Sequence, residues 1–172
     1  MDCVRLGGEG IPMNQVLDAT ASGKHMWHED MKDAAKVVYA DRRKQEGLEH
    51  QQGWSCLPDV LADTRNLPFK DGTFDLIAYD PPHRVTDDGM TQLSGVIEKK
   101  YGALQAETWQ SDLAESFKEL WRVLRDGGTI TFKWADTHKS HDEVLSQLPE
   151  TPLYGTTTGK DRAKVKWWVF HK

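Results

Sequence analysis

Short apolar runs that close in an acid recur four times in the first half of the chain. "QVLDAT" (15–20), "KVVYADRR" (36–43), "PDVLADTRNLPF" (58–69) and "TFDLIAYDPPH" (73–83) carry Asp18, Asp41, Asp63 and Asp80 at or near their ends. Runs of this length between polar segments predict buried parallel strands, with function on their carboxyl edges. "TWQSDLAESFKELWRVLRDGG" (108–128) sets Leu113, Phe117, Leu120, Trp121 and Leu124 at helical spacing and offers Gly127-Gly128 as the stop. "TITFKWA" (129–135) is the next strand, and "SHDEVLSQLP" (140–149) opens on a capping-box pattern from Ser140 to Glu143. "PLYGTTT" (152–158) and "KVKWWVFHK" (164–172) then predict a hairpin around a turn at Gly159. "HMWHEDMKDAA" (25–35) is a weakly marked helix. The pattern predicts an α/β fold with a mostly parallel sheet that ends in an antiparallel hairpin.

Composition narrows the class. The 172 residues form one expected domain (1–172), long enough to bury roughly 70% of the unfolded surface. Apolar runs fall far short of the roughly 20 residues of a membrane span, and no basic start with an apolar core marks a signal peptide. Cys3 and Cys56 are too few for a disulfide framework or a zinc cluster, so a reducing cytoplasm is the expected location. The net charge of −5 argues against a globally basic nucleic-acid binder. It leaves room for a local patch of Lys160, Arg162, Lys164, Lys166 and Lys172. His25, His28, His138 and His141 show no metal-ligand spacing and are expected at the surface; no metal is expected.

The strand ends carry the candidate chemistry. In "LDATASGKH" (17–25), small residues after a strand bring backbone N–H groups close to a ligand, or simply make an ordinary strand-to-helix turn. Asp41 follows Asp18 by about the ~20 residues at which an acid meets a ribose hydroxyl pair in nucleotide-binding βαβ units. A phosphate loop is excluded, because the GxxxxGK[ST] spacing is absent. Asp63 either accepts from an adenine amino group, with Thr64 and Leu67 shaping the slot, or caps a turn. Asp80-Pro81-Pro82-His83 presents a carboxylate and two backbone carbonyls on a stiff support. An exocyclic –NH₂ on a planar ring donates twice, and Asp80 with the Pro81 carbonyl accepts both hydrogens. Orientation rather than strong base chemistry is then the catalytic device. The bland reading of the same tetrapeptide is a strand terminator.

In order and spacing, "LDATASGKH", "VVYADRR", "DVLADTRNLPFKDGTFDLIAYDPPH" and "FKELWRVLRDGGTITFKW" resemble class I S-adenosylmethionine-dependent methyltransferases over residues 14–172. "DPPH" is similar to the D/N-P-P-Y/F/W motif of amino-methyltransferases. The chain also resembles compact phage-associated methyltransferases with "DPPH" and "KYG", some of DNA adenine type. It departs from the family in keeping one glycine, Gly23, in the first motif and in placing His83 at the aromatic position.

The resemblance implies a three-layer Rossmann-like methyltransferase fold and an enzyme that takes S-adenosylmethionine. Asp18, Ala19, Thr20, Ala21, Ser22 and Gly23 are then expected around the methionine part. Asp41 with Arg42 is expected at the ribose, and Asp63 with Thr64 at the adenine. Asp80, Pro81, Pro82 and His83 would hold the nucleophilic nitrogen. Arg84–Glu107 is expected to be a lid or substrate loop, in which Lys100 and Tyr101 of "EKKYG" either contact phosphate and base or form a solvated helix end. Lys133 and Trp134 are further candidates for substrate contact, although tryptophans in strands more often pack in the core. The expected reaction is methyl transfer to an amino nitrogen, on a DNA or RNA base that is single-stranded or flipped out. No membrane partner is expected, and a separate specificity subunit is compatible with the short chain. A small-molecule or protein-amide methyltransferase and a non-catalytic cofactor-binding subunit are the alternatives. A dinucleotide oxidoreductase is disfavoured by the missing G-x-G-x-x-G.

Overall fold

The computed structural model describes residues 15–32, 36–91, 93–156 and 164–172. Cys3, the end of the 25–35 segment, the Gly159 turn, Lys160 and Arg162 lie outside them. A seven-stranded sheet runs in the order β3-β2-β1-β4-β7-β9-β8. Its members are β1 (Val16–Asp18), β2 (Val37–Asp41), β3 (Val60–Leu61), β4 (Phe74–Tyr79), β7 (Leu124–Ala135), β8 (Tyr154–Gly155) and β9 (Val165–His171). β1, β2, β3, β4 and β7 are parallel. β9 pairs antiparallel between β7 and β8, so the last strand lies inside the sheet and β8 takes the edge.

The sheet packs against α2 (Trp109–Val123), whose buried residues Trp109, Leu113, Ser116, Phe117, Leu120 and Val123 form one stripe. The apolar ones meet Ile77, Tyr79, Ile130, Phe132, Trp134, Trp168 and Phe170 in a single core cluster. The helix ends at Val123 because Leu124 is already extended, and β7 begins there. The expected stop at Gly127-Gly128 is therefore corrected. Those glycines lie near the start of the strand, where Gly127, at a φ of 78°, donates its N–H to the Lys172 carbonyl and the Gly128 carbonyl accepts from the Lys172 N–H.

The crossovers differ from the expected helices. Between β1 and β2 the described residues form only a 3₁₀ turn, Glu29–Met31, and between β2 and β3 there is no helix. Residues 42–59 lack an apolar stripe and turn through Gly47, His50 and Gly53 at positive φ. Cys56 is buried there, and burial pushes its thiol up to about 12. α3 (His141–Leu145) keeps the Ser140–Glu143 capping box. No helix among the described residues is long and apolar enough to cross a membrane.

Residues 84–91 and 93–107 are organised rather than a bare loop. β5 (Val85–Thr86), α1 (Val96–Tyr101) and β6 (Leu104–Gln105) form a small parallel β–α–β unit beside the main sheet. Arg84 pairs with Glu98 at 2.6 Å, and the Ala103 N–H approaches the Met90 sulfur at 3.1 Å.

Candidate active site

The strand order reverses at β1 and β4, so the connections leave in opposite directions and open a crevice at their carboxyl ends. A cavity of about 420 Å³ occupies that crevice. Asp18, Asp41, Asp63 and Asp80 all line it, each at or just beyond the end of its strand.

Asp18 is 1% exposed. Its carboxylate accepts from the Thr20 N–H at 3.1 Å and from the indole N–H of Trp27 at 2.7 Å. Burial raises its pKa to about 6, with the neighbouring charges of Asp80 and Asp41 adding to the effect and the two hydrogen bonds opposing it. Thr20 also bridges the crevice, because its Oγ1 accepts from the Asp80 N–H at 2.9 Å.

The turn that follows does without the usual glycines by bending Ser22 and Lys24 to positive φ, 42° and 56°. Left-handed backbone at such residues costs about 1–2 kcal/mol each. The Ser22 N–H is thereby delivered to Asp41 at 2.9 Å. Gly23 itself is not among the cavity residues; a Cβ there would lie within 3 Å of His25 and Trp54 ring atoms.

Asp41 also accepts from the Arg43 N–H at 2.9 Å. Arg42 lines the cavity and its guanidinium lies 3.9 Å from Asp63. Asp63 is gripped by Arg65 through Nε at 2.9 Å and Nη2 at 2.8 Å, and this partner holds its carboxyl below the usual range. Thr64 shares a hydroxyl–hydroxyl bond of 2.8 Å with Ser116, and both line the cavity.

On the opposite wall stand Asp80, Pro81, Pro82 and His83. Asp80 Oδ2 is 2.6 Å from Lys133 Nζ. Its Oδ1 is 2.9 Å from His83 Nε2, without the alignment of a hydrogen bond. Lys133 and Tyr101 line the cavity as well.

Two of the residues expected at the substrate lie off the cavity wall. Trp134 is 0% exposed, donates its indole N–H to the Lys139 carbonyl and packs edge-on against His83 at 5.1 Å, so it supports the wall from behind. Strand alternation turns it into the core while Lys133 faces the cavity. The Lys100 side chain is absent from the cavity wall, and its carbonyl instead accepts from Ser22 Oγ and Arg43. His141 is also buried, against Trp168, rather than on the surface.

Trp27, Arg43, Arg65 and Ser116 were not singled out by the sequence reading. Arg43 and Arg65 each follow a noted acid by two residues, a local spacing that was available as a signal. Trp27 and Ser116 reach the site only through tertiary packing.

Comparison with protein-family models and with curated proteins gave no match. Solved structures do share the fold. The PH0226 protein from Pyrococcus horikoshii OT3 aligns at 16% identity with a TM-score of 0.54, over 91% of this chain and 81% of that one. A SAM-dependent methyltransferase from Leishmania major aligns at 13% identity and a TM-score of 0.52, over 92% of this chain and 66% of that one. A T. thermophilus 16S rRNA N2 G1207 methyltransferase, solved with AdoMet and guanosine, aligns at 14% identity and a TM-score of 0.52. That alignment covers 96% of this chain but only 36% of the other. The likeness is one of fold: an α/β domain with a mostly parallel sheet and antiparallel strands at its end.

Proposed function

We propose that this protein transfers a methyl group from S-adenosylmethionine to an amino nitrogen, of the conjugated kind that nucleic-acid bases carry outside their rings. The observation that carries the reading is the shared cavity. Asp80 and the two prolines face it from β4, while Asp18, Asp41 and Asp63 face it from the three strands on the other side.

The residues present fit the cofactor. Among the described residues no cationic side chain is bonded to the buried Asp18 carboxylate, and the cofactor's ammonium would be its counter-charge. Asp41 accepts from two backbone N–H groups and, at 3.5 Å, from Arg43 Nε, which leaves part of its roughly four acceptor sites for a ribose diol. Thr64, Asp63 and Ser116 offer hydrogen-bonding groups for an adenine edge.

When bound, the cofactor supplies an electrophilic sulfonium methyl, so that the S–C bond breaks as the N–C bond forms and sulfur keeps the electron pair. Asp80 and the Pro81 carbonyl accept the two amine hydrogens and aim the nitrogen lone pair. The surplus proton on the methylated nitrogen passes to Asp80 and then to solvent. The unit at 84–107 acts as the lid over this chemistry. A base in a duplex must be flipped out to reach the cavity. The cytoplasm is the proposed compartment.

Incubation with methyl-labelled S-adenosylmethionine and DNA, RNA or cell extract, followed by identification of the product, tests the proposal. Label on an exocyclic base nitrogen is the expected result. Label only on a small molecule or a protein amide, or S-adenosylhomocysteine binding with no turnover, overturns it in favour of the corresponding alternative.

A further inference from the structure

We infer that Lys133 makes the acceptor pocket selective for neutral, conjugated amines over protonated aliphatic ones; the inference rests on the methyl-transfer reading above. Lys133 is the lysine of the β7 run "TITFKWA", on the residue after Phe132, which pairs in register with Tyr79 at the end of β4. That register sets Lys133 beside Asp80. Its Nζ lies 2.6 Å from Asp80 Oδ2.

The ammonium is held from a second side. Trp167 is directly opposite Lys133 in the β7–β9 ladder, and its ring centroid is 5.7 Å from Nζ. An ion pair and an aromatic face together fix the cation, and Lys133 still lines the cavity. His83 stands 2.9 Å from the other carboxylate oxygen.

The negative charge of Asp80 is therefore already matched before a substrate arrives. An alkylammonium that reached Asp80 would share one small carboxylate with Lys133, and repulsion at such range in a part-buried site costs about a factor of ten or more in affinity. It would also have to shed a proton before its nitrogen owned a lone pair. A neutral –NH₂ on a conjugated ring or amide meets neither penalty and finds the remaining acceptor sites of Asp80 free. Lys133 also fixes the carboxylate's rotation, so it acts as a positioning residue for Asp80.

The test compares two probes with labelled S-adenosylmethionine: a single-stranded oligonucleotide containing adenine, cytosine and guanine, and spermidine. The wild-type protein, Lys133→Met and Lys133→Arg are each measured, with S-adenosylhomocysteine affinity as the check on folding. The expected result is oligonucleotide methylation by the wild type with spermidine barely touched. Lys133→Met should lower kcat on the oligonucleotide about tenfold or more and narrow its preference over spermidine by a similar factor, at unchanged S-adenosylhomocysteine affinity. Lys133→Arg should retain most of both.

If Lys133→Met binds S-adenosylhomocysteine normally and keeps the wild-type kcat and preference, this inference falls while the methyl-transfer reading stands. Preferential methylation of spermidine by the wild type overturns the inference together with the conjugated-amine assignment. Methylation of neither probe, with S-adenosylhomocysteine bound, overturns both. Should Lys133→Met fail to bind S-adenosylhomocysteine, Lys133→Gln takes its place in the same comparison.

Discussion

Arg43 donates from Nη2 to the carbonyl oxygen of Lys100 across 2.9 Å, joining the end of β2 to the last turn of α1. Its Nη1 donates to the Lys99 carbonyl at 3.0 Å, and Ser22 Oγ adds a bond to Lys100 at 2.8 Å. The backbone N–H groups of the same two residues, Ser22 and Arg43, hold Asp41. The proposed ribose carboxylate and the proposed lid are thus fastened by one pair of residues. Helix C-terminal carbonyls lack partners within the helix, so a guanidinium there is well placed. We expect Arg43→Met to loosen residues 96–104 and to remove the extra protection that S-adenosylhomocysteine gives them in wild type. Amide hydrogen exchange reads this directly, and equal protection in both proteins would refute the coupling.

Asp41→Ala should weaken S-adenosylhomocysteine binding by about 10-fold to 100-fold, the worth of hydrogen bonds to a charged acceptor. Calorimetric titration measures it. The Ser22 and Arg43 N–H groups also lose their acceptor, so a companion Asp41→Asn, which keeps one oxygen, should fall between wild type and alanine. Wild-type affinity in Asp41→Ala would remove the ribose assignment.

Asp18 supplies a pH dependence whose sign follows from its environment. Its folded pKa, raised to about 6 chiefly by burial, stands above the ordinary carboxylate value. The protonated form is therefore favoured in the fold. Its contribution to stability is full below about pH 4 and is lost as pH rises through about 6. A bound ammonium reverses the preference, because it favours the ionised carboxylate. S-adenosylhomocysteine affinity should consequently drop as pH is lowered from 7 to 5, with a proton released on binding near pH 6. Titrations in two buffers of different ionisation heat measure that proton. Asp18→Asn should flatten the profile, and a flat profile in wild type would detach Asp18 from the ammonium.

The sheet was legible because its strands announce themselves as apolar runs ended by acids, and α2 because Leu113, Phe117 and Leu120 repeat at helical spacing. The common edge of Asp18, Asp41, Asp63 and Asp80 followed from that order alone. The crossovers were less legible. Segments 25–32 and 42–59 carry neither an apolar stripe nor a clear loop signature, and their paths are set by contacts such as Trp27 with Asp18. The Lys133-Trp134 pair shows the limit from another side. Sequence alternation assigns the two to opposite faces but does not say which face holds the cavity. The bonds from Arg43 to Lys99 and Lys100 join residues more than fifty positions apart, beyond any local pattern.

Phe117→Ala tests the core that holds the edge in place. Phe117 is fully buried, with its ring centroid 4.6 Å from that of Phe170. Removing it leaves a cavity between α2 and the sheet, and the expected loss is about 3–5 kcal/mol. Denaturant unfolding should show a lower midpoint with an unchanged slope.

Asp80→Ala is the sharpest test of the proposed chemistry. The carboxylate sits in a network: its neighbours Lys133 and His83 approach its two oxygens, and its own N–H is tied to Thr20 across the crevice. The backbone bond to Thr20 survives truncation of the side chain, so the β1–β4 crevice and the cofactor end of the cavity should persist. Loss of the acceptor leaves the amine unoriented and Lys133 without its ion-pair partner. We therefore expect S-adenosylhomocysteine affinity within about threefold of wild type and methyl transfer reduced by about 100-fold or more. Asp80→Asn separates orientation from charge. An asparagine can still accept one amine hydrogen, but it takes no proton and pairs poorly with Lys133, so its activity should lie between wild type and Asp80→Ala. Single-turnover measurement of methyl transfer isolates this step from product release. Were Asp80→Ala to retain most of its transfer rate with cofactor bound, the acceptor wall would have to be sought elsewhere in the cavity.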